Sequence, residues 1–277
     1  MLPAAFEFSQ GSLQDYVDCR RRFQLKYLEG QPWPAVEVEP ALELEAYGVY
    51  GRRFHRALER YYSGVPADLI ESSVQEEPLG SWWRAFLGEP PLNLPEALRV
   101  PEVRLSVPLA GQRLVAVFDL LAVDPGRRLV IVDWKTGRYR PSREVMQGRL
   151  QTLVYPFVAV EGGQRLFGGE VDPACVTMVY WFANFPDQPH VFHYGTAEHE
   201  AGRGYLASLV GEIVSAQGDR EWALTHDEVR CRFCVYRSLC DRGVLPGVEG
   251  GGGFVEDAGD LPVGVEWGLD WVDEVSY

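Results

Sequence analysis

The sequence predicts an α/β protein in which a mixed central β-sheet is flanked by helices. Apolar, β-branched runs bounded by turn residues occur at 114–123 and 129–135, and a third, ACVTMVYWF, occupies 174–182. Around these strands, apolar residues recur at the three- and four-residue spacing of amphipathic helices. The segments with this spacing are 8–30, 46–62, 142–160 and 197–217.

The composition indicates one large folded domain with a distinct tail. A length of 277 residues with 46% hydrophobic and 12% aromatic content is typical of an ordinary globular protein. The formal net charge of −14 argues against a general polyanion binder. Part of this charge is local, because residues 243–277 contain eight acidic residues and no lysine or arginine. We therefore expect a domain over 1–244 and a flexible, glycine-rich acidic tail over 245–277.

The same composition gives no sign of a membrane protein. No apolar run approaches the roughly 20 residues needed to span a bilayer. The N-terminal sequence MLPAAFEFSQ lacks the basic and apolar regions of a signal peptide. We therefore expect a cytoplasmic protein.

The first two apolar runs predict a β-hairpin with a charged end. The turn-forming sequence DPGRR at 124–128 separates them. A loop of this length places Asp119 directly opposite Asp133, with Cβ atoms roughly 5 Å apart. Lys135 shares the face of Asp133, and Trp134 projects from the other face. Facing carboxylates repel, so a shared proton or a bound cation is expected, and Lys135 beside them favours a metal-dependent site.

The order of these residues resembles the PD-(D/E)XK nuclease superfamily, and in particular its RecB-like branch with an iron–sulfur cluster. The matching residues are Asp119, then Asp133-x-Lys135, then Gln151-x-x-x-Tyr155. Gln151 and Tyr155 are four residues apart, so they share one face of a helix. The first strand has Ala-Val-Phe-Asp where the branch usually has Gly-Arg-Ile-Asp. The resemblance implies a restriction-endonuclease-like core that cleaves DNA phosphodiester bonds, with these five residues as its catalytic residues.

The metal ligands implied by the resemblance include a histidine. Gly51-x-x-x-His55 resembles the helical motif whose histidine binds metal in RecB-like enzymes, although an isolated helical histidine is more often structural or surface-exposed. The implied ligands of a magnesium or manganese ion are His55, Asp119, Asp133 and the carbonyl oxygen of Trp134.

Several neighbouring residues have two interpretations. Glu102 resembles an acidic residue that some family members place near the metal, but a solvent-facing glutamate fits its position as well. Trp82 and Trp83 are suited to stacking on bases or to the core. Pro156 requires that the predicted helix start late or bend just beyond Tyr155. Four arginines bring positive charge beside the site and are expected to contact phosphates: Arg138, Arg140, Arg143 and Arg149.

The cysteines predict a metal centre. Three of the five form a C-x2-C-x5-C pattern at 231–240, which alone suggests zinc nearly as strongly as iron–sulfur, with His226 as the local candidate for a fourth ligand. The RecB-like resemblance points instead to Cys19, and we expect Cys175 to belong to the core of the third strand. The implied ligands of a 4Fe–4S cluster joining the two chain ends are Cys19, Cys231, Cys234 and Cys240.

The resemblance also implies a biological setting. It indicates an exonuclease on single-stranded DNA or DNA ends in DNA repair, recombination or CRISPR adaptation. The sequence has no Walker A motif, so unwinding requires a partner helicase. Trp267 and Trp271 in the acidic tail could dock on such a helicase or on a CRISPR adaptation protein. Two other readings stay open: a catalytically inactive DNA-binding or scaffolding relative, and a zinc-stabilised interaction protein that leaves the carboxylate hairpin unexplained.

Overall fold

The computed structural model describes residues 1–32, 39–231 and 234–243, the side chains of 39–46 excepted. The predicted acidic tail and its tryptophans lie outside these ranges. The strands are β1 (Phe8–Ser9), β2 (Leu98–Leu109), β3 (Gln112–Asp124), β4 (Arg128–Lys135), β5 (Val176–Phe182) and β6 (Phe185–His193). The helices are α1 (Gln10–Asp18), α2 (Arg20–Phe23, continued by a π-helix, Gln24–Leu28), α3 (Glu39–Tyr62), α4 (Ala67–Glu71), α5 (Leu79–Gly88), α6 (Arg143–Gln147), α7 (Leu150–Gly162), α8 (Gln164–Phe167) and α9 (Thr196–Ala216).

The strands form one six-stranded mixed sheet, which confirms the predicted fold class. Its order is β1-β3-β4-β5-β6, with β2 paired to β3. The pairs β2–β3, β3–β4 and β5–β6 are antiparallel, whereas β1–β3 and β4–β5 are parallel. The crossover from β4 to β5 passes through α6, α7 and α8, as a parallel connection requires.

The predicted hairpin is present with a shorter loop. Asp124 and Arg128 pair across the strands, so the expected five-residue loop was too long by one residue on each side. Gly126 has φ of 70°, which glycine adopts without strain, and it closes the turn. Because each strand is longer than expected by one residue, the pairing of β3 with β4 keeps the predicted register, and Leu120 pairs with Val132.

Hydrophobic clusters cover both faces of the sheet. On one face, α1, α7 and α9 pack against the strands, and the main-chain N–H of Leu150 at the start of α7 donates to the Gln14 side chain of α1. On the other face, α3, α4 and α5 enclose Trp134 and Trp181. Trp82 and Trp83 are each 1% exposed in this second cluster, so they belong to the core and are not available for base stacking.

Three predicted elements differ in detail. The N-terminal helix is interrupted at Cys19, which has extended backbone angles between α1 and α2. The helix expected over 142–160 is two helices, and the second starts late, at Leu150, and continues through Pro156. Cys175 precedes the third strand instead of lying within it, although its side chain packs against the core cluster. Asp172 caps a 3₁₀ turn that holds this partly buried residue ahead of β5.

In the part of the chain that the structure describes, no helix has the combination of length and apolar character required for a bilayer span.

Candidate active site

The end of β4 carries a buried, mutually paired set of polar side chains. Asp133 is 3% exposed and Lys135 9% exposed. The Lys135 Nζ lies 3.0 Å from Asp133 Oδ2. Gln151 of α7 joins both, because its Nε2 donates to Asp133 Oδ1 at 2.5 Å and its Oε1 accepts from Lys135 Nζ at 3.1 Å. Removing one member of a buried ion pair typically costs about 3–5 kcal/mol, because the other charge is left without a partner. Asp133 and Lys135 therefore depend on each other for their buried positions.

Asp119 lies at the point where β3 and β4 stop pairing. One further step of the register, beyond Leu120 and Val132, places it opposite Asp133, as predicted. Its Oδ2 accepts a hydrogen bond from the main-chain N–H of Trp134 at 2.8 Å, and its Oδ1 lies 3.3 Å from His55 Nδ1. Burial opposes the charged carboxylate, but His55, the Trp134 N–H and the Lys135 charge together lower the pKa of Asp119 below its usual value. The carboxylate is therefore ionised at neutral pH.

His55 reaches the site because α3 lies close against the end of β4. A Cβ added to Gly51 would lie 2.9 Å from Thr136 Oγ1, so glycine permits this approach. One turn later, His55 Nε2 lies 3.0 Å from the carbonyl oxygen of Trp134. Both ring nitrogens of His55 thus face oxygen atoms, one from Asp119 and one from Trp134.

Glu102 joins His55 and Asp119 from strand β2. One potential ligand atom from each of these three residues lies within 4.8 Å of the other two. Among the described residues, no other three His, Cys, Asp or Glu side chains are grouped in this way. Glu102 is exposed and has φ of 48°, a conformation that residues other than glycine rarely adopt. Strained backbone of this kind clusters at functional sites. Asp133 is not in this group and contacts Lys135 and Gln151 instead.

Tyr155 lies one turn after Gln151 on α7, as expected. It is buried, and its ring packs against Phe118 with centroids 5.1 Å apart. Burial, with the negative charges of Asp133 and Asp119, raises the pKa of Tyr155 well above its usual value. The phenol of Tyr155 is therefore neutral at physiological pH.

The predicted arginine strip divides into exposed and engaged side chains. Arg138 is exposed and lies over the Tyr47 ring at 4.9 Å from its centroid. Arg140 instead donates to the carbonyl oxygen of Gln188 on β6 at 2.7 Å and to His190 Nδ1 at 3.1 Å. Burial lowers the pKa of His190, which favours the neutral ring that accepts this bond. Arg143 lies over the Phe192 ring at 4.3 Å, and Arg149 is at the start of α7.

The four predicted cluster cysteines line a single cavity: Cys19, Cys231, Cys234 and Cys240. His226, the local alternative, is exposed and does not line it. Arg242 Nη1 donates to Cys231 Sγ at 3.0 Å. Burial and the neighbouring thiols raise the pKa of Cys240 to about 11. The arrangement thus brings Cys19 together with three cysteines that lie more than 200 residues further along the sequence.

Polar contacts hold the two chain ends together around this cavity. Arg22 of α2 pairs with Asp15 and Asp18 of α1, at 2.9 and 2.8 Å. Asp18 also pairs with Arg230 in the C-terminal segment. The main-chain N–H of Trp222 donates to Gln24 Oε1 at 2.8 Å. The cavity is therefore formed by the fold itself, with Cys19 and the three C-terminal cysteines in its lining.

Comparisons with known proteins agree with this geometry at the level of the superfamily. The chain belongs to the PD-(D/E)XK nuclease superfamily, which it matches over residues 7–241. No curated protein matches the sequence. The crystal structure of a candidate exonuclease from Eubacterium rectale shares the fold, with a TM-score of 0.50 and 11% identity, covering 88% of this chain and 91% of that chain. The crystal structure of SSO0001 has a TM-score of 0.33 and 13% identity, covering 69% of this chain and 95% of that chain.

Proposed function

We propose that this protein is a metal-dependent DNA nuclease of the RecB-like branch that acts on single-stranded DNA or DNA ends. The observation that carries the proposal is the meeting of two groups at one end of the sheet. One is the buried set Asp133, Lys135 and Gln151, and the other is the ligand group of His55, Glu102 and Asp119. A non-catalytic relative has no need for a buried lysine held between a carboxylate and an amide.

The donor atoms suit a divalent ion such as manganese or magnesium. The proposed ligands are His55, Glu102, Asp119, the carbonyl oxygen of Trp134 and, from the resemblance, Asp133. Imidazole favours manganese over magnesium, and carboxylate and carbonyl oxygens suit both. The lowered pKa of Asp119 keeps its carboxylate charged and ready to bind a cation. A bound ion supplies an activated water and stabilises negative charge on the phosphate oxygens.

The remaining residues of the site position the reactants. Lys135 is held between Asp133 and Gln151, and its ammonium group orients the attacking water and offsets charge in the transition state. Gln151 fixes both side chains through one amide group. Tyr155, as a neutral phenol, donates a hydrogen bond toward the DNA strand.

We further propose that the four cavity cysteines bind a 4Fe–4S cluster. A tetrahedral zinc ion with Zn–S distances of about 2.3 Å holds its sulfurs about 3.8 Å apart. The four cysteines that line the cavity match the ligand count of either metal centre. The RecB-like resemblance favours the cluster over zinc.

The proposed setting is DNA repair, recombination or CRISPR adaptation, with a helicase or an adaptation protein as partner. The description of the Eubacterium rectale protein as a candidate exonuclease supports attack at strand ends.

Cleavage of two DNA forms tests the proposed activity. We expect the purified protein to degrade linear single-stranded DNA in manganese or magnesium, to be inactive in EDTA, and to leave circular single-stranded DNA intact. Cleavage of the circle as fast as the linear strand would show an endonuclease. Absence of metal-dependent cleavage of either form would contradict the proposed function.

A further inference from the structure

Helix α3 carries four arginines around His55, and one of them differs from the rest. Arg53 pairs with Glu76 at 2.7 Å, Arg60 contacts the Ser73 hydroxyl, and Arg56 is exposed. The Nη1 of Arg52 is buried and has no hydrogen-bond partner among the described residues. The sequence analysis did not single out these arginines.

A buried guanidinium nitrogen without a partner is costly to keep. Taking such a group out of water without a compensating hydrogen bond opposes folding, and nearly all buried polar atoms in native proteins are paired. A guanidinium cannot relieve this cost by losing its proton, because its pKa is too high. The Nη1 of Arg52, which has no partner among the described residues, is therefore a position that a ligand oxygen can fill.

The position of Arg52 indicates which ligand that is. Arg52 and His55 are three residues apart and so share a face of α3. The same turn is fixed at both ends to the catalytic strand end, by Gly51 against Thr136 and by His55 against the Trp134 carbonyl. Arg52 is therefore on the turn of α3 that lies against the end of β4.

We propose that Arg52 binds a nonbridging phosphate oxygen of the DNA strand, next to the phosphodiester that is cleaved. This inference rests on the proposed nuclease function. The planar guanidinium fork matches the geometry of a phosphate group and forms short, charge-assisted hydrogen bonds to it. A phosphate at this position supplies the missing partner and fixes the strand against the metal ligands on the same helix. Arg52 is thus a substrate-positioning residue.

Binding of fluorescein-labelled oligothymidylate in EDTA, across a series of salt concentrations, tests this role without cleavage. We expect Arg52→Gln to weaken binding about tenfold and to reduce the slope of log affinity against log salt by about 0.7, the value for one phosphate contact to a single strand. Arg52→Lys keeps the charge but not the fork, so its slope should equal that of the wild type and its affinity should fall between the two. Arg53→Gln, on the adjacent residue, is the matched control and should bind as the wild type.

The thermal midpoint separates binding from a structural role. Removing a guanidinium whose buried Nη1 has no partner among the described residues should leave Tm of Arg52→Gln equal to or above that of the wild type. A wild-type slope for Arg52→Gln overturns the inference, and so does a lowered Tm accompanied by wild-type affinity. If Arg52→Gln loses affinity for inorganic phosphate, measured as a competitor, but binds DNA like the wild type, Arg52 belongs to a free-phosphate site. That outcome also overturns the inference. If the slope changes as expected but the wild type never cuts DNA, the phosphate contact stands and the proposed function fails instead.

Discussion

The two proposed metal-binding regions are built in different ways. At the catalytic end, Asp119, Asp133 and Lys135 come from one hairpin, and the strand register sets their spacing. At the cysteine cavity, Cys19 approaches the C-terminal cysteines only through the packing of segments distant in sequence. The proposed catalytic residues Asp133, Lys135 and Gln151 are already joined by hydrogen bonds or ion pairing, whereas the thiols share their cavity with four arginines, of which Arg242 donates to Cys231.

This difference indicates that the two regions respond differently to mutation. A site held by a sheet should lose activity without losing its fold, because neighbouring strands keep the backbone in place. A centre that joins both chain ends should contribute to stability, because it closes a loop of more than 200 residues and restrains the unfolded chain.

The largest expected effect is therefore that of Cys19→Ser. Anaerobically purified wild-type protein should be brown and contain about four irons per chain. The variant should lose the colour and the iron, become protease-sensitive, and unfold with a free energy lower by about 5 kcal/mol, as for a cross-link that closes a loop of this length. Iron analysis, absorbance and denaturant titration measure these changes.

Cys175→Ser is the matched control, because Cys175 lies in a turn ahead of β5 and does not line the cavity. It should keep colour, iron and stability. One stoichiometric zinc in a colourless wild type would contradict the cluster and leave the nuclease site untouched. Full iron content in Cys19→Ser would indicate that His226, and not Cys19, is the fourth ligand.

A second, smaller effect is expected at the catalytic end. Gln151→Ala leaves Asp133 and Lys135 paired but removes the amide that fixes them, so kcat should fall about a hundredfold, with little change in thermal midpoint. Gln147→Ala, at an exposed position of α6, should behave as the wild type. Equal rates for the two variants would show that Gln151 has no positioning role.

The contrast also explains what could be predicted from sequence. Asp119 and Asp133 could be placed opposite each other because turn length and the two-residue period of strands determine the register. Glu102 could not be assigned, since its position depends on an unusual backbone conformation within β2. Arg52 was missed for a related reason. Whether a helical arginine has a partner is a property of the packed structure and leaves no pattern in the sequence. The cysteine grouping was reached only through resemblance.

The smallest expected effect concerns the approach of α3 to β4. In Gly51→Ala, the new methyl group meets Thr136 Oγ1, so α3 and His55 must shift by a few tenths of an ångström. We expect about a tenfold loss of activity. Stability should not fall, because alanine favours helices by about 1 kcal/mol over glycine.

Thr136→Ala in the same chain removes the oxygen that the methyl group meets and should restore much of the activity. Gly204→Ala in α9, where nothing lies within 4 Å of the added Cβ, is the control and should be fully active. Unchanged activity in Gly51→Ala would show that the close approach does not position His55.

The most direct test of the proposed nuclease site compares cleavage and DNA binding in one variant, Asp133→Asn. Asparagine keeps the shape of the side chain and can still accept from Gln151, but it removes the charge beside Lys135. We predict that the variant remains folded and binds linear single-stranded DNA like the wild type, while its manganese-dependent cleavage falls about a thousandfold. Cleavage by Asp133→Asn at the wild-type rate would contradict the assignment of this strand end as the active site.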